Sequence, residues 1–116
     1  MPTYMLLINY DPTQPSDGSP SKQPEHAKLM EEMRSHGHHR SGGGLAPASM
    51  YARRVVQQTD GQPLLIDGPF AETKEVVGGY YVVDCSEDEA IDYARRIPVD
   101  SRSWIEIRRL GVYQEG

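Results

Sequence analysis

The chain is 116 residues long, enough for one domain and short of two, since domains mostly run to about 100–150 residues. Its 12 basic and 17 acidic residues leave a net charge of −5, which argues against a nucleic-acid partner, because phosphate binding calls for a clustered Lys/Arg surface. No apolar run approaches the ~20 residues of a membrane span, no basic-then-apolar leader opens the chain, and the single cysteine, Cys85, cannot close an internal disulfide, so a cytoplasmic protein without a membrane partner is expected.

Tyr4-Met5-Leu6-Leu7-Ile8-Asn9-Tyr10 is apolar and rich in branched and aromatic residues, and it halts at Asp11-Pro12; it reads as a first, buried strand. Asp11–Pro24 follows, with prolines at 12, 15 and 20 before Pro24 and no apolar pattern, and is expected to be a flexible insert in an otherwise single domain over residues 1–116. His26, Leu29, Met30 and Met33 then recur at helical spacing against Lys28, Glu31, Glu32 and Arg34, which predicts a helix from about Pro24 to Ser35 with Gly37 as its left-handed stop. Tyr51–Thr59 and Gln62–Ile66 flank Asp60-Gly61, a dipeptide suited to a two-residue hairpin turn. Val76–Asp84 is the strongest strand, apolar on both faces and so central in its sheet, with Gly78-Gly79 marking a bulge or a close backbone approach. Ser86 with Glu89 forms a capping box that opens a second helix, closed by Pro98, and Trp104–Leu110 alternates as a last strand.

This order predicts an α+β, ferredoxin-like fold, βαββαβ with an extra hairpin strand, whose two helices cover one sheet face. The other face, carrying some of Tyr4, Tyr10, Tyr80, Tyr81 and Trp104, calls for a second copy, so a homodimer packed sheet to sheet is expected.

Leu65–Glu75 leaves a strand, turns at Gly68-Pro69 and concentrates charge ahead of the central strand, and such loops carry function more often than cores do. Asp67-Gly68-Pro69-Phe70 followed by Ala71-Glu72-Thr73-Lys74-Glu75 resembles the YCII-related family in its DGPF-motif subgroup. Tyr4–Ile8, His26 placed eleven residues before Gly37, and Gly42-Gly43-Gly44-Leu45-Ala46-Pro47 extend the resemblance over nearly the whole chain. The resemblance implies a ferredoxin-like protomer, a dimer of the α/β-barrel type, and a histidine and an aspartate in an enzymatic role. These carry over to His26 and Asp67, with Gly68, Pro69 and Phe70 shaping the loop. The Pro- and Ser-rich insert and His36-Gly37-His38-His39 depart from the family pattern.

Independently of that resemblance, a histidine on an apolar stripe faces the sheet, where burial depresses its pKa unless a carboxylate compensates. If Asp67 reaches His26, the pair is a general base held in one tautomer by an acid, able to act on an acidic C–H, an O–H or water. His26 alternatively bonds a backbone carbonyl and Asp67 its own turn, which would make both structural. Lys74 is a candidate substrate-binding cation, otherwise solvated surface like most lysines. No metal site is expected: His36, His38 and His39 lack a nearby Cys, Asp or Glu to complete one. Cys85 has no local cation to activate it and reads as a small buried residue, and no phosphate loop or dinucleotide motif is present. Two functions remain open: a cofactor-free, lyase- or hydrolase-like enzyme acting on a small molecule, and a non-enzymatic ligand-binding or regulatory module, which by family analogy would be linked to sigma-factor regulation.

Overall fold

The computed structural model describes residues 1–18, 22–46, 51–68 and 76–111. In chain order these form β1 (Thr3–Tyr10), α1 (Gln23–Ser35), β2 (His39–Gly44), β3 (Arg53–Val56), β4 (Leu64–Asp67), β5 (Val76–Asp84), α2 (Glu87–Arg96) and β6 (Ser103–Arg109). Four strands make one antiparallel sheet in the order β2-β5-β1-β6, and β3 pairs with β4 in a separate two-stranded sheet. The fold is thus mixed α+β, with a mainly antiparallel sheet and two helices, compatible with a ferredoxin-like plan into which the β3–β4 hairpin is inserted.

The helix ends follow local chemistry. α1 takes Pro24 in its first turn, where a missing N–H costs nothing, and it ends in a Schellman motif. There Gly37 sits at φ +71°, its N–H donates to the Arg34 carbonyl, and the His38 N–H donates to the Met33 carbonyl. α2 opens with the expected capping box: the Glu89 N–H donates to Ser86 Oγ at 3.2 Å, and the Ser86 N–H donates to the Glu89 carboxylate at 3.0 Å.

Both helices pack on one face of the sheet. Leu29 and Met33 from α1 and Ala90, Tyr93 and Ile97 beside α2 join Tyr4, Leu6, Tyr81 and Val83 in a single core. Leu6, Met33 and Val83 are fully buried, so truncating Met33 to alanine removes about 2–5 kcal/mol. By strand alternation and register, Met5, Leu7, Tyr80, Val82 and Trp104 point to the opposite face. Of the aromatics expected there, Tyr80 and Trp104 take that face, whereas Tyr4 and Tyr81 are buried beneath the helices.

Two departures from the sequence expectation have physical causes. His39–Gly44, which sequence reasoning left without an element, is the edge strand β2: three glycines give it little intrinsic strand preference, and it forms because β5 offers it a ladder. The hairpin does not turn in two residues: β3 ends at Val56 and β4 starts at Leu64. Gly61 alone takes positive φ, its N–H donating to the Gln58 carbonyl, while the Asp60 carboxylate caps the Gln62 N–H and Pro63 brings no N–H to a ladder. The bulge that the paired glycines suggested is present: Gly78 is its extra residue, since the register passes from Ile8↔Gly79 to Asn9↔Val77.

The insert begins anchored. The Asp11 N–H donates to the Arg102 carbonyl, the Ser101 N–H donates to the Asp17 carboxylate, and the Arg102 guanidinium lies 4.8 Å from the Tyr10 ring centre. Residues 19–21 lie outside the described residues. Among the described residues no helix is long and apolar enough to cross a membrane.

Candidate functional site

His26 lies in the second turn of α1, on the stripe shared with Gln23, Ala27 and Met30. That stripe forms one wall of a cleft of about 370 Å³ whose floor is backbone: Gly42, Gly43 and Gly44 of β2 beside Gly78 and Gly79 of β5. Ile8, Tyr80 and Tyr81 complete the lining. Glycine on both paired strands leaves no side chains between floor and helix, and the cleft exists for that reason.

Within the cleft, His26 Nδ1 and the Tyr81 hydroxyl are 2.7 Å apart, and the two rings lie 6.1 Å apart at an interplanar angle of 20°. Burial lowers the His26 pKa below the ordinary histidine value, against the raising effects of a hydrogen bond to the Pro98 backbone and of the nearby Glu25 carboxylate. Burial also raises the Tyr81 phenol above its usual range. Nδ1 and the Tyr81 hydroxyl share one hydrogen, and the imidazole tautomer decides which of them donates. The pair is a neutral imidazole beside a neutral phenol, a base and an acid sharing one hydrogen bond.

Asp67 stands elsewhere. It ends β4 directly across from Arg53, and its carboxylate accepts from Arg53 Nε at 2.6 Å. The Asp67 side chain is 75% exposed, and an exposed pair of this kind contributes about 0–1 kcal/mol. Gly68 donates its N–H to the Ala52 carbonyl at 2.7 Å, tying off the hairpin. The structure brings Asp67 together with Arg53 and His26 together with Tyr81. Pro69, Phe70 and Lys74 lie outside the described residues.

A second cavity, about 300 Å³, lies between the end of α1 and α2. Its polar groups satisfy one another. Arg96 bridges the Glu32 and Asp92 carboxylates, which lowers the Glu32 pKa, and His38 Nδ1 is 2.8 Å from the Tyr93 hydroxyl with Nε2 3.5 Å from Glu89. His36 stacks on His38 at 5.7 Å. These contacts join the helices, and among the described residues no group of three or more His, Cys, Asp or Glu side chains is arranged to hold a metal ion. Cys85 is buried and its thiol is pushed up to about 11, first by desolvation and then by the Glu89 and Asp84 charges, so it is a poor nucleophile.

Sequence reasoning found the inward face of His26 but not Tyr81, because the choice between the adjacent Tyr80 and Tyr81 depends on which of them faces the helices. The signal was present in part: Val83 and Cys85, two and four residues on from Tyr81, are the apolar positions that share its buried side.

Residues 3–112 match the YCII-related domain. The chain is also 40% identical over 68 residues to an uncharacterised protein of Rhizobium meliloti (strain 1021), an alignment that covers 56% of this chain and 55% of that protein. The chain therefore spans about half the length of the curated relative it matches. With the domain match running from the first strand past the last, the chain belongs to the YCII-related family.

Proposed function

We propose that the protein is a cofactor-free enzyme, lyase- or hydrolase-like, that moves a proton on a small molecule held in the glycine-floored cleft, and that it falls in the DGPF subgroup through Asp67-Gly68-Pro69-Phe70. The observation that carries this reading is the 2.7 Å contact between His26 Nδ1 and the Tyr81 hydroxyl inside the cleft. In this mechanism the imidazole proton sits on Nε2 and Tyr81 donates to Nδ1; a substrate carbonyl entering beside Tyr81 takes over the phenolic hydrogen bond, and the His26 lone pair is thereby freed. Nδ1 then removes a proton from the carbon next to that carbonyl; the imidazole becomes imidazolium, and the negative charge on the substrate oxygen is held by the Tyr81 O–H. Desolvation keeps the imidazole unprotonated at neutral pH, as a base must be. Asp67 enters as the acid that ties the end of β4 to β3 through Arg53. A second copy, packed over Met5, Leu7, Tyr80, Val82 and Trp104, completes the assembly as a homodimer.

The test is solvent-deuterium incorporation at the α-carbon of simple ketones: acetone, cyclohexanone and indanone. The wild-type protein accelerates exchange of at least one of them, and His26→Asn and Tyr81→Phe abolish the acceleration. Exchange no faster with the wild type than with either variant would leave the cleft as that of a non-catalytic binding module.

A further inference from the structure

Three glycines in a row on an edge strand need an explanation, because glycine weakens strands. Conformation does not supply one: among the described residues the glycines with positive φ are Gly18, Gly37 and Gly61, so Gly42, Gly43 and Gly44 hold backbone angles open to any residue. Packing supplies it for Gly42, and also for Gly79 on the paired strand, but not for Gly43, whose Cβ would meet Tyr80 Cε1 at an ordinary 3.6 Å. A Cβ on Gly42 would lie 3.2 Å from the Tyr80 carbonyl and 3.3 Å from Tyr81 Cδ1, displacing the ring that meets His26, and a Cβ on Gly79 would lie 3.1 Å from the Gly43 carbonyl. Packing does not supply it for Gly44, where a Cβ meets nothing closer than the Gly78 carbonyl at 4.0 Å. Gly44 pairs with Gly79 and Gly42 with Tyr81, so both face the helix side. A side chain at Gly44 would enter the cleft itself.

The floor is therefore made of peptide planes, and Ile8, Ala27 and Met30 supply the apolar surface around it. A flat ring can lay its whole face against peptide planes, whereas a puckered one touches them at fewer atoms. The polar side chains described in the lining, those of Gln23, His26 and Tyr81, are uncharged, and a charged ligand would lose hydration there without gaining an ionic partner among the described lining residues.

We infer that the cleft is a slot for a flat, uncharged molecule that presents one hydrogen-bond-accepting oxygen to Tyr81, with Gly44 as the position that keeps the slot open. This rests on the small-molecule reading above and adds the shape and charge of what binds.

The test compares three probes with the same fused-ring skeleton, followed by NMR through the amide signals of Gly42, Gly44 and Gly79 and the ring signals of His26. Indanone is flat and neutral, octahydroindenone keeps the carbonyl but is puckered, and indanecarboxylate carries a charge. Indanone shifts these signals at concentrations at least about tenfold lower than either analogue needs. In Gly44→Val the fold and the His26 titration stay as in the wild type, while indanone binding is lost. Equal binding of the puckered or charged probe, or undiminished indanone binding by Gly44→Val, overturns the slot while leaving a small-molecule cleft in place. If none of the three perturbs the wild-type signals at millimolar concentration, the small-molecule reading fails and the slot fails with it.

Discussion

Replacing Tyr81 with phenylalanine removes one oxygen and leaves the ring, which is only 6% exposed and packed in the core beside Leu6 and Val83. The loss is thus confined to the hydrogen bond with His26. A neutral hydrogen bond contributes about 1 kcal/mol net, and an acceptor sealed from water costs up to about 3 kcal/mol when orphaned. His26 is only half-buried and lines an open cleft, so water can replace the phenol, and the lower figure applies. Tyr81→Phe should therefore lower stability at pH 8 by about 1 kcal/mol, or roughly 3–5 °C in melting temperature for a domain of this size. Urea unfolding with an unchanged m-value checks it. The variant also reports on the proton. A phenol that donates to Nδ1 stabilises the neutral imidazole, so its removal should move the His26 pKa upward, read by NMR titration. A downward move would mean that Nδ1 carries the hydrogen and that the mechanism's tautomer is wrong.

Asp67→Asn should leave the His26 titration where it is and cost no more than about 1 kcal/mol, because its partner is Arg53 on an exposed hairpin; a downward shift of the His26 pKa would instead join the two residues. Since the folded His26 pKa lies below its unfolded value of about 6.5, its contribution is fully present above that pH and is lost as pH falls through the folded value. The urea midpoint should accordingly drop on acidification below 6.5, and less steeply in His26→Asn. Ser86→Ala removes the capping box of α2 and should cost about 1 kcal/mol by the same assay. Light scattering at micromolar concentration should give a dimer mass for the wild type and a monomer mass for Trp104→Glu, and a monomeric wild type would remove the sheet-to-sheet packing.

The elements that sequence alone disclosed are those whose burial matches their local pattern. β5 was read at its observed limits, Val76–Asp84, because apolar residues on both faces mark a central strand, and α2 was fixed by Ser86 and Glu89 at one end and Pro98 at the other. β2 was illegible for the opposite reason: His39–Gly44 has no apolar face, and its strand state is imposed by hydrogen bonds to a neighbour about forty residues away. With β2 unseen, the hairpin strands took its place in the expected sheet, although among the described residues they pair with each other alone. The site was half legible. The stripe containing His26 follows from helical spacing, whereas its partner lies fifty-five residues on, in a strand whose facing is set by tertiary packing.

The proposed mechanism requires a neutral His26 that accepts the Tyr81 hydrogen bond at Nδ1, and the ¹⁵N chemical shifts of the imidazole ring near pH 7.5 test that directly. They should show an unprotonated Nδ1 and a protonated Nε2, with Nδ1 changing when a ketone draws the phenol away. A protonated Nδ1, or a ring protonated at both nitrogens at that pH, would contradict it.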